Sequence, residues 1–157
     1  MLTVQADQTV LGYLGRALSL ELSAVQLYST QARLADRWGL AEVAAKFSAE
    51  AGEELRHADR IISRMLALGV APNASQLRPV RLGSNLQQLL LHDYAFEKEL
   101  VSLYEAATRH CARTGDHDGR VFFEALLGEE QEHAKDLEQW LQQLQQGDGN
   151  TAVNNIT

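Results

Sequence analysis

The sequence predicts an all-α fold, a four-helix bundle with one long crossover between the second and third helices. Three observations lead there. Apolar residues recur at helical spacing through four long stretches separated by glycine-marked breaks. Both prolines, Pro72 and Pro79, fall in one segment midway along the chain. The chain also repeats itself at an offset of 76 residues, which pairs the first two stretches with the last two.

The first helix is predicted from about Thr9 to Trp38, through Val10, Leu14, Leu18, Leu22, Val25, Tyr28 and Ala32, with Gly39 just past its end as a C-terminal cap. The second runs from about Leu40 to Leu68, through Val43, Phe47, Leu55, Ile61, Ile62 and Met65, and stops at Gly69. So short a connection makes the two antiparallel neighbours. Between Gly69 and Gly83 the prolines, with Asn73 and Ser75, exclude a helix and leave a crossover able to reach the far end of the bundle. The third helix is predicted from about Ser84 to Ala112, and Thr114-Gly115-Asp116 breaks it. The fourth runs from about Asp118 to Gln145. Residues 1–157 fit one domain, with the bundle over about 9–145 and a polar, turn-rich tail over 147–157 that is expected to fray.

The repeat carries the chemistry. Gly52-Glu53-Glu54-Leu55-Arg56-His57-Ala58 recurs as Gly128-Glu129-Glu130-Gln131-Glu132-His133-Ala134. The same offset takes Glu21 to Glu97 and Tyr28 to Tyr104. On a helix, Glu54 shares a face with His57, and Glu130 with His133. A single Glu-x-x-His is a common pattern on solvated faces. Two copies in register, each 33 residues after a lone glutamate, are not. Folding into two antiparallel pairs gives the repeat a pseudo-twofold axis and brings Glu21, Glu54, His57, Glu97, Glu130 and His133 to the bundle centre. Four carboxylates cannot stay ionised and unpaired there, because each uncompensated buried charge costs several kcal/mol. Two divalent cations resolve that conflict by balancing the four negative charges. An oxygen-rich set with one imidazole nitrogen per metal favours iron or manganese over a closed zinc site. Tyr28 and Tyr104, two turns beyond the lone glutamates, are expected in the core with their hydroxyls on a carboxylate. Glu53 and Glu129 point about 100° from the ligands on a helical wheel and read as solvated. Glu50 reads as a surface carboxylate or a place where iron enters or leaves, and His92, His110 and His117 as surface histidines.

Composition excludes other classes. A formal charge of −7 argues against a nucleic-acid surface and suits cation attraction. One cysteine, Cys111, rules out an internal disulfide framework and a Cys-rich metal site, and suits a reducing, cytoplasmic setting. Residues Met1 to Asp7 show no basic region followed by an apolar run, so no signal peptide is expected, and no stretch is apolar enough to span a bilayer.

Over residues 8–146 the chain resembles the bacterioferritins, ferritin-like di-iron proteins in which each of two helices gives one Glu and each of the others a Glu-x-x-His. The resemblance rests on Leu20-Glu21-Leu22-x-Ala24 with Tyr28, Ala32-Arg33, Trp38-Gly39-Leu40, His57-Ala58-Asp59-Arg60 and Pro72-Asn73. It implies a ferroxidase centre of two iron ions per subunit, with Glu21 and His57 on one iron, Glu97 and His133 on the other, and Glu54 and Glu130 bridging. It further implies oxidation of Fe(II) by O2 or H2O2 and storage of ferric mineral in a shell of 24 subunits.

Two departures bear on that inference. The family's haem-ligating methionine directly follows the first Glu of the first Glu-x-x-His. This chain has Leu55 there, and an aliphatic side chain cannot ligate iron, so haem is expected only from a co-assembled subunit that supplies the methionine. No apolar stretch in 147–157 matches the family's short fifth helix, and Ala49 stands where some members carry an inner-surface histidine. Other readings are a rubrerythrin-like peroxidase or di-iron oxygenase, a non-catalytic partner subunit, and a DNA-condensing mini-ferritin. The first lacks a Cys-rich domain and the last a basic tail.

Overall fold

The computed structural model describes residues 7–147, and the expected polar tail and the N-terminal residues before Asp7 lie outside it. Four helices appear in order: α1 Gln8–Arg37, α2 Ala41–Ala67, α3 Leu86–Thr114 and α4 His117–Gln145. Their 27 to 30 residues correspond to rods of roughly 40 Å at 1.5 Å per residue. α1 packs along α2 and α3 along α4, and the two pairs join chiefly through α1 and α3. Between the pairs, residues 70–85 form the extended crossover.

Local chemistry sets the ends. Asp7 caps α1 by accepting from the Thr9 N–H. The third helix starts two residues later than predicted because Asn85, not Ser84, is its cap: Asn85 Oδ1 accepts from Gln88 N, and Gln88 Oε1 reaches back to Ser84 N at 2.7 Å. The α3–α4 turn is the tightest. Gly115 closes α3 at φ 75°, a conformation that favours glycine, and Asp116 at once caps α4 through Gly119 N. The crossover is pinned where the backbone N–H groups of Gln76 and Arg78 donate to Ser19 and Ser23 of α1, and Arg78 pairs with Glu99 of α3.

The 76-residue repeat reappears in the packing. Tyr28 stacks on Phe47 with ring centroids 6.4 Å apart, and Tyr104 meets Phe123 at 6.3 Å, each residue one repeat from its counterpart. Ile61 and Leu137, and Met65 and Leu141, are likewise matched buried pairs. The repeat breaks at two fully buried places: Asp93 stands where the other half has Ala17, and Gln31 where it has Ala107.

Candidate metal centre

All six residues singled out by the repeat converge at mid-bundle. Glu21, Glu54, Glu97 and Glu130 are completely buried, and His57 and His133 are 1% and 7% exposed. Their ligand atoms form two overlapping groups, Glu21, Glu54, His57 and Glu130 on one side and Glu54, Glu97, Glu130 and His133 on the other. Within each group the atoms lie within 4.8 Å of one another. Glu54 and Glu130 belong to both. The imidazole rings stand nearly parallel, 5.8 Å apart. Each helix contributes because its wheel aims the residue inward: α1 and α3 give one carboxylate each, and α2 and α4 a carboxylate and an imidazole one turn apart.

Both histidines face the carboxylates through Nδ1. His57 Nδ1 lies 2.7 Å from Glu130 Oε1 and 3.0 Å from Glu21 Oε2. His133 Nδ1 lies 3.1 Å from Glu54 Oε1, yet neither atom is aligned for a hydrogen bond. Glu54 has no hydrogen-bond partner on either oxygen, and Glu97 and Glu130 each have one oxygen without. Atoms this close and this badly paired fit a common third partner better than each other.

Electrostatics says the same. Burial drives Glu21 and Glu97 far above the carboxylate range, with neighbouring carboxylates adding to it. Burial also raises Glu54, to about 7, against the opposing pull of His133. Glu130 moves the other way. Burial opposes its charge, but the protonated carboxyls of Glu97 and Glu21 and the imidazoles of His133 and His57 around it hold it ionised and well below its usual range. Both imidazoles are held protonated against burial by the carboxylates around them, His57 to about 11 and His133 to about 12. Protons thus neutralise, without metal, the charge that two divalent cations would neutralise. The donor set of four carboxylates and two imidazole nitrogens fits such a pair.

The tyrosines reach across the repeat. Tyr28 donates to Glu97 at 2.7 Å, and Tyr104 to Glu21 at 3.3 Å, so each hydroxyl serves the lone glutamate of the opposite half.

Glu53 and Glu129 correct the sequence reading. Both are 44% exposed in the side chain, yet each stands beside a histidine from the other half: Glu53 Oε2 is hydrogen-bonded to His133 Nε2 at 3.1 Å, and Glu129 Oε1 lies 3.5 Å from His57 Nε2, an ion-pair distance without an aligned hydrogen bond. A carboxylate that accepts from Nε2–H, as Glu53 does from His133, keeps the proton on Nε2 and leaves Nδ1 free to face a cation. The wheel angle places them off the ligand face of their own helix and says nothing about the neighbouring one. Arg60 adds an asymmetry. It grips Glu129 at 2.6 Å and, against burial, holds that carboxylate below its usual range. Glu50 is only 31% exposed in the side chain and stands 3.5 Å from His133 Nδ1. His110 also departs from expectation: it is largely covered, its ring is tilted 54° to that of Tyr13 at 6.0 Å, and it pairs with Asp7 at 2.6 Å. Leu55 is 47% exposed and faces outward.

Access is one-sided. A cleft of about 340 Å³ lined by Tyr28, Glu50, His133 and Asp136 reaches the centre from one face, and one of about 510 Å³ reaches it past Glu53, Glu129, Glu132 and His133. Neither cleft includes His57. Another cleft, of about 660 Å³, runs along the crossover and includes none of the six residues.

A bundle of four helices that gathers four carboxylates and two imidazoles into two overlapping groups able to hold a metal ion is the arrangement of the carboxylate-bridged class of dinuclear proteins. Residues 11–147 match the ferritin-like domain family. The chain is 38% identical to a bacterioferritin of Rhodobacter capsulatus over 135 residues, covering 86% of this chain and 84% of the relative. It is 33% identical to a bacterioferritin of Brucella melitensis over 141 residues, covering 90% and 88%. A 2.6 Å structure of the Rhodobacter protein, described as having a metal-free dinuclear site and haem iron in a crystallographic special position, superposes with a TM-score of 0.89 at 35% identity, covering 95% of this chain and 93% of that one. The chain belongs to the ferritin-like family and, within it, to the bacterioferritins.

Proposed function

We propose that the protein is a ferroxidase that oxidises Fe(II) to Fe(III) at the intra-subunit centre and stores the product as mineral in a multi-subunit shell. The observation that carries this reading is the pair of overlapping ligand groups sharing Glu54 and Glu130. Two Fe(II) ions are the substrate, and iron supplies the redox chemistry when bound, passing electrons to O2 or H2O2. The chain's residues do the rest. Glu21 and His57 hold one ion, Glu97 and His133 the other, and Glu54 and Glu130 contact both. Burial keeps bulk water out, and the negative charge of the set favours the oxidised ion. Tyr28 and Tyr104 fix the lone glutamates, while Glu53 holds the His133 tautomer. Fe(II) approaches on the His133 side, where both clefts open and carboxylates line the way. Uptake releases protons, because the protonated ligands must give them up.

Leu55 at the haem position supports a homomer without haem, or co-assembly with a subunit that carries the methionine. Among the described residues, no helix is long and apolar enough to cross a membrane, and a cytoplasmic protein fits this. The direct test is stopped-flow Fe(II) oxidation with an anaerobic Co(II) titration. Two Co(II) per subunit and rapid oxidation, both lost in Glu54→Ala, are expected; unchanged oxidation in that variant overturns the site. Size-exclusion chromatography checks the shell, and a strong Soret band retained by purified homomer overturns the reading of Leu55.

A further inference from the structure

The repeat makes two clefts equivalent in position and opposite in character. One, of about 340 Å³, is lined by Lys46, Glu50, His133, Asp136 and Trp140 among others. One repeat away those positions are Phe122, Leu126, His57, Arg60 and Arg64. Phe122, Arg60 and Arg64 line a second cleft of about 480 Å³, which Leu126 and His57 do not line. The first cleft therefore meets the ligand set at His133, and its twin stops short of His57. Two exchanges between the halves account for the difference. Leu126, completely buried, replaces Glu50 and gives a cation no oxygen to bind. Arg60 replaces Asp136 and sets a positive charge where the first cleft has a negative one.

Glu50 joins the open cleft to the centre. Its Oε2 is sealed from solvent without a hydrogen-bond partner, 3.5 Å from His133 Nδ1, which is buried and equally unpartnered. We propose that Glu50 and Asp136 make this cleft the entrance for divalent cations: Asp136, exposed on α4, draws the ion to the mouth, and Glu50 receives it and passes it to the Nδ1 edge of His133. This rests on the ferroxidase reading and names its loading route. A lone carboxylate replaces water around a cation and holds it weakly enough to release it to the four carboxylates beyond. Lys46 offsets part of the negative charge, its ammonium drawn over the Trp140 ring at 4.6 Å. The neighbouring cleft of about 510 Å³ also touches His133, but Glu53 accepts from Nε2 there at 3.1 Å, so that cleft faces the protonated edge of the ring.

The experiment exchanges each residue for its counterpart, Asp136→Arg and Glu50→Leu, and follows Co(II) binding to the full chain by anaerobic stopped-flow. Expected in both are two Co(II) per subunit at equilibrium, association slower by about tenfold, and Fe(II) oxidation slowed in step at low iron. The Asp136→Arg deficit should shrink as salt rises, because screening removes a charge effect, while the Glu50→Leu deficit stays. Glu132→Arg, the same change of charge on the neighbouring cleft, should leave the rate within about twofold of native. Native association in either Asp136→Arg or Glu50→Leu overturns the proposal. So does equal or greater slowing in Glu132→Arg, and so does a lost second Co(II) in Glu50→Leu, which makes Glu50 a ligand of the pair. Should Glu50→Leu fail to fold, Glu50→Gln decides by the same rate and stoichiometry. A native protein that binds no Co(II) removes the ferroxidase reading itself, an outcome distinct from these.

Discussion

At the residue scale, the two tyrosines look equivalent in sequence and are not equivalent in space. Removing the Tyr28 hydroxyl strips Glu97 of a 2.7 Å hydrogen bond when its other oxygen already lacks a partner, whereas Glu21, under Tyr104, keeps His57. Tyr28→Phe is therefore expected to destabilise the metal-free protein by about 1–2 kcal/mol and Tyr104→Phe by less than about 1 kcal/mol, measured by urea unfolding. Arg60 gives the opposite pattern. Its ion pair with Glu129 is more than a third exposed on both sides, so Arg60→Ala should cost under about 1 kcal/mol of stability. The same change frees Glu129 from its place behind His57, and isothermal titration should show Co(II) affinity falling about tenfold at one of the two positions. The convergence of the six buried residues was legible because the repeat states them twice. Glu53 and Glu129 were misread because their partners lie on another helix, which no single-helix periodicity reports. Asp93 and Gln31 were missed because they lie off the repeat, and an acid or amide in a helix reads as surface until its burial is known.

At the element scale, the α3–α4 turn separates propensity from packing. Alanine is a better helix former than glycine by about 1 kcal/mol, so Gly12→Ala, on an exposed stretch of α1 with nothing near the added methyl, should stabilise the protein by up to that amount. Gly119 has the same propensity argument and the opposite outcome. A Cβ there would stand 2.3 Å from Oδ2 of Asp116, the carboxylate whose other oxygen caps α4's first turn, and 2.9 Å from Cys111 Sγ. Gly119→Ala should therefore lower stability by about 1–3 kcal/mol in thermal melts, since the cap must break or the turn must shift. The sequence shows glycine at both positions; only the turn geometry distinguishes them.

At the scale of the whole molecule, element order and the crossover were readable because glycines, prolines and helical periodicity mark them locally, while the sidedness of the centre was not, because it depends on which helices leave gaps between them. The charge balance of that centre sets how stability follows pH. Glu21, Glu54 and Glu97 have folded-state values raised above those of the unfolded chain, so their contribution is complete below about pH 4.5 and declines as the unfolded carboxylates ionise, Glu54 finishing near pH 7. His57 and His133 act with the same sign, complete below about pH 6.5 and lost as pH rises toward 11 and 12. Glu130 runs the other way, its contribution present above about pH 4.5 and lost in acid. The metal-free protein should therefore melt at its highest temperature in mildly acidic solution and at progressively lower temperature from pH 6 to pH 9. Saturating Co(II) should reverse that slope, because cations bind the deprotonated set and more tightly as protons become scarce. Thermal melts at both pH values, with and without Co(II), make the comparison; parallel curves would mean that the buried carboxylates and imidazoles hold no cation.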